Sequence, residues 1–244
     1  MVQYESLFVI GLMLIAFFYS SVGHGGASGY LALMALFSFA PESIRYYALV
    51  LNLVVSAIAF ISYFRAGFFR WRQVVPFLIT SIPAAYIGAT FSINPVVYKI
   101  ILGIMLIIAV VRMLMIRNTE NETTQDPPFI LALGIGLVLG LVSGIIGIGG
   151  GILLSPILIL SKYARIKEAS ASSAVFIFLN SVSGLAGLMT SHFTFQPHIV
   201  YWISGVMIAG IAGSAMGSRT FSELNLKRVL SMVLIAASIK LFFF

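Results

Sequence analysis

Cysteine is missing from this chain of 244 residues. That excludes disulfides, thiolate metal sites and thiol redox chemistry, and leaves the compartment open. Charge is scarce as well. Only 9% of residues are Asp, Glu, Lys or Arg, against 60% hydrophobic residues and a mean hydropathy of +1.08. A soluble domain of this length has no interior large enough to hide so much apolar surface. The apolar residues recur instead in stretches of about 20, the length a transmembrane helix needs, and they leave no room for a separate soluble domain. Acidic residues number seven against fourteen basic ones. The resulting net charge of +7 does not point to nucleic acid, because the basic residues flank apolar spans instead of forming a soluble patch. The opening stretch carries Glu5, lacks a basic leader and runs on through Phe39, unlike a cleaved signal peptide.

What is present in quantity is glycine, gathered into two clusters inside apolar stretches. Val22-Gly23-His24-Gly25-Gly26-Ala27-Ser28-Gly29 is the first, and Ile146-Gly147-Ile148-Gly149-Gly150-Gly151 the second. At a constant offset of 124 residues, Gly23, Gly25 and Gly26 align with Gly147, Gly149 and Gly150. Glycine tolerates positive φ and exposes backbone N–H and C=O groups. Within a membrane such backbone survives only where protein buries it or water lines it. A helix broken twice, at matching places, points to a transport site. A lone glycine spacing would have the duller meaning of close helix packing.

The chain reads as two matching halves: residues 1–116, a polar cytoplasmic linker at 117–128, and residues 129–244. After each glycine cluster comes a short apolar segment, Tyr30–Phe39 or Ile152–Ser161. A long span follows, Ile44–Phe64 or Glu168–Thr190, carrying Asn52 or Asn180 at comparable positions. A small-residue span ending near Gly88 or Gly217 and a last span containing Lys99 or Arg228 complete each half. As one straight helix, Glu5–Phe39 would be roughly 52 Å long at 1.5 Å per residue, against a core of about 30 Å. The glycines are therefore expected to break it into two arms that enter and leave on one side, or span twice. The expected fold is an all-α polytopic membrane protein of two inverted-topology repeats. Each repeat has a glycine-broken hairpin or half-helix pair and three long transmembrane helices. With five segments per half, eleven of the fourteen basic residues fall on one side: Arg65, Arg70, Arg72, Arg112, Arg117, Lys162, Arg165, Lys167, Arg219, Lys227 and Arg228. Arg45, Lys99 and Lys240 fall on the other. Positive charge marks the cytoplasmic face, so both termini are expected outside a multi-pass protein of the inner or plasma membrane.

The candidate substrate-binding residues are Gly23, His24, Gly25, Gly26, Asn52, Gly147, Gly149, Gly150, Gly151 and Asn180. A helix restarting after a glycine break presents unpaired N–H groups and the positive end of its dipole, which favours an anion. Opposed copies would aim two such ends at one point. Ser20, Ser21 and Ser143 border the breaks and either donate to an anion or back-bond to the preceding turn. His24 stands where the second copy has Ile148, and reads as a packed histidine or as a proton or substrate group. Each asparagine reads as an interhelical hydrogen bond or as a cavity wall. Ser56 and Ser183 follow the two asparagines by about one turn, on the same helical face. Arg45 reads as a residue snorkelling to headgroups, ahead of an outer anion attractor. Trp71 and Trp202 suit interfacial anchors.

Taken together, these residues resemble the TauE/SafE family of sulfite-exporter-like membrane permeases. The resemblance rests on Gly147-Ile148-Gly149-Gly150-Gly151 followed by Pro156, on the degenerate copy Gly23-His24-Gly25-Gly26, and on the asparagine-bearing segments of a short, duplicated chain. The first copy departs from this pattern with His24 in place of Ile148 and Ala32 in place of Pro156. The resemblance implies transport of sulfur-containing anions such as sulfite or organosulfonates, sulfoacetate among them, often as efflux. The expected mechanism is alternating access around a midplane site, with no enzyme chemistry and no cofactor. The expected partners are a small anionic substrate, membrane lipid and a coupling ion, H+ or Na+, with the oligomeric state open. No Gly-x-x-x-x-Gly-Lys-Ser/Thr loop is present, so the energy would come from gradients. Two rivals stand beside this reading. A passive anion channel needs the same polar path. An intramembrane serine protease would use Ser28 of the Gly-Ala-Ser-Gly string, yet no histidine deep in a helix is placed to activate it, and His192 and His198 belong to a predicted outer loop.

Overall fold

The computed structural model describes residues 2–91, 124–189 and 199–220, with positions 96, 97, 100, 103, 104, 107, 108, 111, 222 and 235. Lys99, Arg112, Arg117, His192, His198, Lys227, Arg228, Lys240, most of the linker at 117–128 and most of each half's last span lie outside the described residues. The described residues form eight long or short helices: α1 (Val2–Ser21), α2 (Ala27–Leu36), α3 (Pro41–Arg65), α4 (Trp71–Thr90), α5 (Phe129–Ile146), α6 (Gly151–Leu160), α7 (Ile166–Leu188) and α8 (Ile199–Arg219). Five of them are long and apolar enough to cross a membrane: α3 from Ser43, α4, α5, α7 and α8. The protein is therefore a multi-pass, helical membrane protein.

Local chemistry explains the helix starts. Pro41 opens α3 behind an extended Ala40, the position where a missing N–H costs nothing. Glu168 reaches back to accept the Arg165 N–H at 3.0 Å, answering one of the donors that α7 leaves unpaired. Between helices, small residues let backbones touch. Gly136, Gly140 and Gly144 of α5 press on the carbonyls of Phe77, Ser81 and Ala85 in α4, where no Cβ would fit. Gly213 and Gly217 of α8 press in the same way on Phe17 and Ser21 of α1. Residue numbers rise together in both seams, so α4 and α5 run in one direction, as do α1 and α8. The packing survives exchange of the halves: α4 packs on α5 as α8 on α1, α4 on α7 as α8 on α3, and α2 on α3 as α6 on α7.

Charged residues gather at one end of this bundle, where α3 and α8 finish and α4 and α7 start. There Arg70 Nη2 lies 3.0 Å from Glu168 Oε1. Gln73 Nε2 donates to Glu168 Oε2 at 3.2 Å, and Lys167 Nζ to the Ser218 carbonyl at 3.2 Å. The opposite end carries an aromatic cluster in which Trp202 packs on Phe8 and Tyr47 at ring separations of 5.0 and 5.3 Å. Trp202 is thus built into the protein, whereas Trp71 is exposed as an interfacial anchor should be.

Arg45 corrects the snorkelling expectation. It is only 9% exposed. Its guanidinium donates to the Ala89 and Gly144 carbonyls at 3.2 and 2.9 Å and to Phe91 at 3.3 Å. These carbonyls end α4 and α5, where the helix dipole is negative and lone pairs are left over. A cation one turn into α3 finds its counter-charge there, within reach, and does not need headgroups.

Candidate functional site

Both glycine breaks are built on one plan. At the first, the Tyr19 carbonyl accepts the Val22 and His24 N–H groups at 3.1 and 2.9 Å, closing α1. Gly26 then caps α2 in the left-handed region, at φ 94° and ψ 4°, and accepts the Tyr30 N–H at 2.9 Å. At the second, the Ser143 carbonyl accepts the Gly147 and Ile148 N–H groups at 2.8 and 3.3 Å, closing α5. Gly150 caps α6 at φ 74° and ψ −14° and accepts the Leu154 N–H at 3.2 Å. An L-residue with a side chain rarely adopts this conformation, which is why glycine stands at both N-caps. The helices that follow have 10 residues each, about 15 Å at the usual rise and half of a membrane core.

One side chain touches both breaks. Asn52, fully buried in α3, accepts the Ala27 N–H on Oδ1 at 3.1 Å and donates from Nδ2 to Ser181 Oγ at 2.9 Å. A Cβ placed on Gly25 would collide with Asn52 Oδ1, and one on Gly149 would meet Nδ2. Residues 124 apart in sequence thus flank a single amide. The Ala27 N–H is one of the donors that the start of α2 leaves free. Those of Ser28 and Gly29, and of Ile152 in α6, face no acceptor among the described residues.

A second polar chain joins the halves. His24 Nδ1 lies 2.8 Å from the Val22 carbonyl. A carbonyl only accepts, so Nδ1 carries the proton. In the neutral ring Nε2 is then an acceptor and receives the Ser155 hydroxyl at 3.2 Å. With its proton so committed, Ser155 accepts from Ser173 at 2.6 Å. His24 is therefore hydrogen-bonded to the opposite half, a geometry absent from its copy because Ile148 and Leu31 stand where His24 and Ser155 would repeat.

The structure separates Asn180 from this group. Its Nδ2 donates to Ser81 Oγ at 3.2 Å and to the Phe176 carbonyl at 2.9 Å, in the seam between α7 and α4. The two asparagines are not structural counterparts. Gly149 and Gly151 press on Ile177, which occupies toward the second break the place Asn52 occupies toward the first. The flanking contacts agree: Gly23 meets Ser170 as Gly147 meets Arg45. The helical register between α3 and α7 is thus 125 residues, and the asparagine alignment, at 128, is almost one turn out.

Ser20 and Ser21 back-bond to the Phe17 and Phe18 carbonyls at 3.1 and 2.6 Å. Ser56 does the same to Leu53 at 3.2 Å, while Ser183 bonds the Ile82 carbonyl of α4. Ser143 Oγ makes no such bond and lies buried without a partner among the described residues. The Ser28 hydroxyl is paired with Tyr19 Oη at 2.8 Å. Ser155, Ser173, Ser181 and the buried role of Arg45 were missed. The serine-rich run Ser170, Ser172, Ser173 in an apolar helix was the available signal. A cleft of about 430 Å³ lined by Leu139, Leu153, Pro156, Ile157, Leu160 and Ser161, with Ile108, is too apolar to recognise an anion.

A bundle of membrane-crossing helices enclosing two half-length helices that start from adjacent glycine breaks is the build of a membrane transporter. The chain belongs to the sulfite exporter TauE/SafE family, whose family model matches residues 7–241. It is 35% identical over 236 residues to the probable membrane transporter protein y4hK of Sinorhizobium fredii, covering 95% of this chain and 96% of that one. It is 28% identical to the probable membrane transporter protein MJ0441 of Methanocaldococcus jannaschii, over 78% of this chain and 76% of that one. Identity to the probable membrane transporter protein YunE of Bacillus subtilis is 24%, over 77% and 75% of the two chains. No solved structure matches the chain.

Proposed function

We propose that this transporter carries a small sulfur oxyanion, sulfite or an organosulfonate such as sulfoacetate, outward by alternating access of two inverted halves, residues 1–116 and 129–244. The observation that carries the reading is the meeting of both breaks at Asn52. Two helix N-termini there offer N–H donors and positive dipole ends to one anion. Gly23, Gly25, Gly26, Gly147, Gly149, Gly150 and Gly151 shape this backbone, and Asn52 orients it. His24, held by both halves, is the group to take up a coupling proton. Asn180 serves at the neighbouring seam.

The inversion is supported by directions. In the first half α4 runs away from the charged end, and α5, which opens the second half, runs the same way. Each broken pair then enters and leaves on one side, from opposite sides. The charged end is the cytoplasmic face under the positive-inside rule, which leaves the N-terminus outside.

The test is thermal unfolding of the purified protein with sulfite, methanesulfonate, sulfoacetate, oxalate, phosphate and chloride. A rise in Tm confined to the sulfur oxyanions is expected. No rise with any anion would sink the reading.

A further inference from the structure

Resting on that anion reading, we infer that Tyr30 and Ser143 supply the side-chain donors of the site, one hydroxyl at each break, and select a ligand with several acceptor oxygens over a spherical halide. Both hydroxyls are buried, with the residues 0% and 1% exposed, and neither has a hydrogen-bond partner among the described residues. Orphaned buried hydroxyls are rare because each costs free energy to desolvate. Each side chain lies against the N-cap glycine of one half-length helix, Tyr30 from after its break and Ser143 from before. The phenol end of Tyr30 folds back along α2 onto its N-cap, so that a Cβ on Gly26 would meet Tyr30 Oη at 2.9 Å. A Cβ on Gly150, the N-cap of α6, would meet Ser143 Cβ at 3.2 Å.

Tyr30 Oη therefore lies at the N-cap of one ten-residue helix and the Ser143 side chain at the N-cap of the other, the end at which a helix leaves N–H donors unpaired. No group among the described residues accepts from either hydroxyl. An oxyanion does, and hydrogen bonds to a charged acceptor are the strong kind. The two hydroxyls differ in reach: the phenol projects from within α2, and the short serine belongs to the last turn of the helix before the break. A sulfite or sulfonate group, with three oxygens around one centre, can receive donors from both directions. Chloride presents no such array of directed lone pairs.

The stability of the unliganded protein separates a binding role from a structural one. Tyr30→Phe and Ser143→Ala remove only the oxygen, and with it an unsatisfied group, so the ligand-free Tm is expected to stay level or rise. Apparent affinity for sulfite, read by titrated thermal shift of the full chain, is expected to fall about tenfold or more in each variant. Chloride at equal ionic strength is expected to give no shift with any of the three proteins. A drop in ligand-free Tm in either variant would make that hydroxyl structural and overturn the inference. So would wild-type sulfite affinity in both variants, with the anion reading left standing, or chloride binding as tight as sulfite. If no anion binds the wild type, the inference falls together with the reading beneath it.

Discussion

The two glycine breaks share a backbone and differ in nearly everything attached to it. Both close the preceding helix onto one carbonyl, Tyr19 or Ser143, and both restart it from a left-handed glycine. The first adds His24, the Tyr19–Ser28 pair and Tyr30. The second adds Ile148, Pro156 and the orphan hydroxyl of Ser143, with buried Arg45 beside Gly147. Asn52 serves both breaks, while the place equivalent to it in α7 holds Ile177. What the two breaks share is the part that needs particular φ and ψ angles, and what differs is the side chains, with the one amide of Asn52 standing between them.

Three pairs of substitutions press on this comparison. The largest effect is expected at Gly149, where φ is +70° and a Cβ would meet Asn52, Ile177 and Ser181. Gly149→Val should abolish transport, with the protein still inserted in the membrane; Gly134→Ala, where nothing lies within 4 Å, should transport normally. Normal flux through Gly149→Val in a proteoliposome assay would remove the breaks from the pathway.

Next comes the difference between the asparagines. Asn52→Leu leaves the Ala27 N–H and Ser181 Oγ unpaired, at about 1–3 kcal/mol each. Asn180→Leu loses bonds to Ser81 and Phe176 but also removes Oδ1, which is buried without a partner, so a net cost of about 1 kcal/mol or less is expected. Thermal unfolding that ranks the two equally would contradict this asymmetry.

The smallest contrast is between arginines. Arg45→Lys gives up a forked donor to three carbonyls and should cost about 1–2 kcal/mol. Arg70→Ala breaks an ion pair whose arginine is 59% exposed and should cost under about 1 kcal/mol. A larger loss at Arg70, measured by the same unfolding, would mark the charged end as a structural lock.

Much of this was legible in the chain itself. Composition dictated the membrane, since 60% hydrophobic residues have nowhere else to go. Adjacent glycines in apolar stretches announced the breaks, because few other residues tolerate those angles, and the boundaries of α2 and α6 fall within three residues of the expected segments. What failed was anything that depended on register. Asn52 and Asn180 look alike in an alignment, yet three residues displace a side chain by nearly one turn, about 4.5 Å along the helix, which carries Asn180 past the breaks to the seam with α4. Arg45 looked like a surface cation because it stands at the start of a long apolar span. Its partners are carbonyls of Ala89 and Gly144, at the ends of two other helices.

Class, family and the location of the two breaks were thus written in residue types and spacing, which act through local angles and bulk solvation. Whether those breaks would meet, which asparagine would stand between them, and that Tyr30 and Ser143 would be left without partners depended on helices remote in sequence. Hydrogen-bond satisfaction inside a membrane is settled by whichever group packs nearby, and only the folded bundle supplies that neighbour.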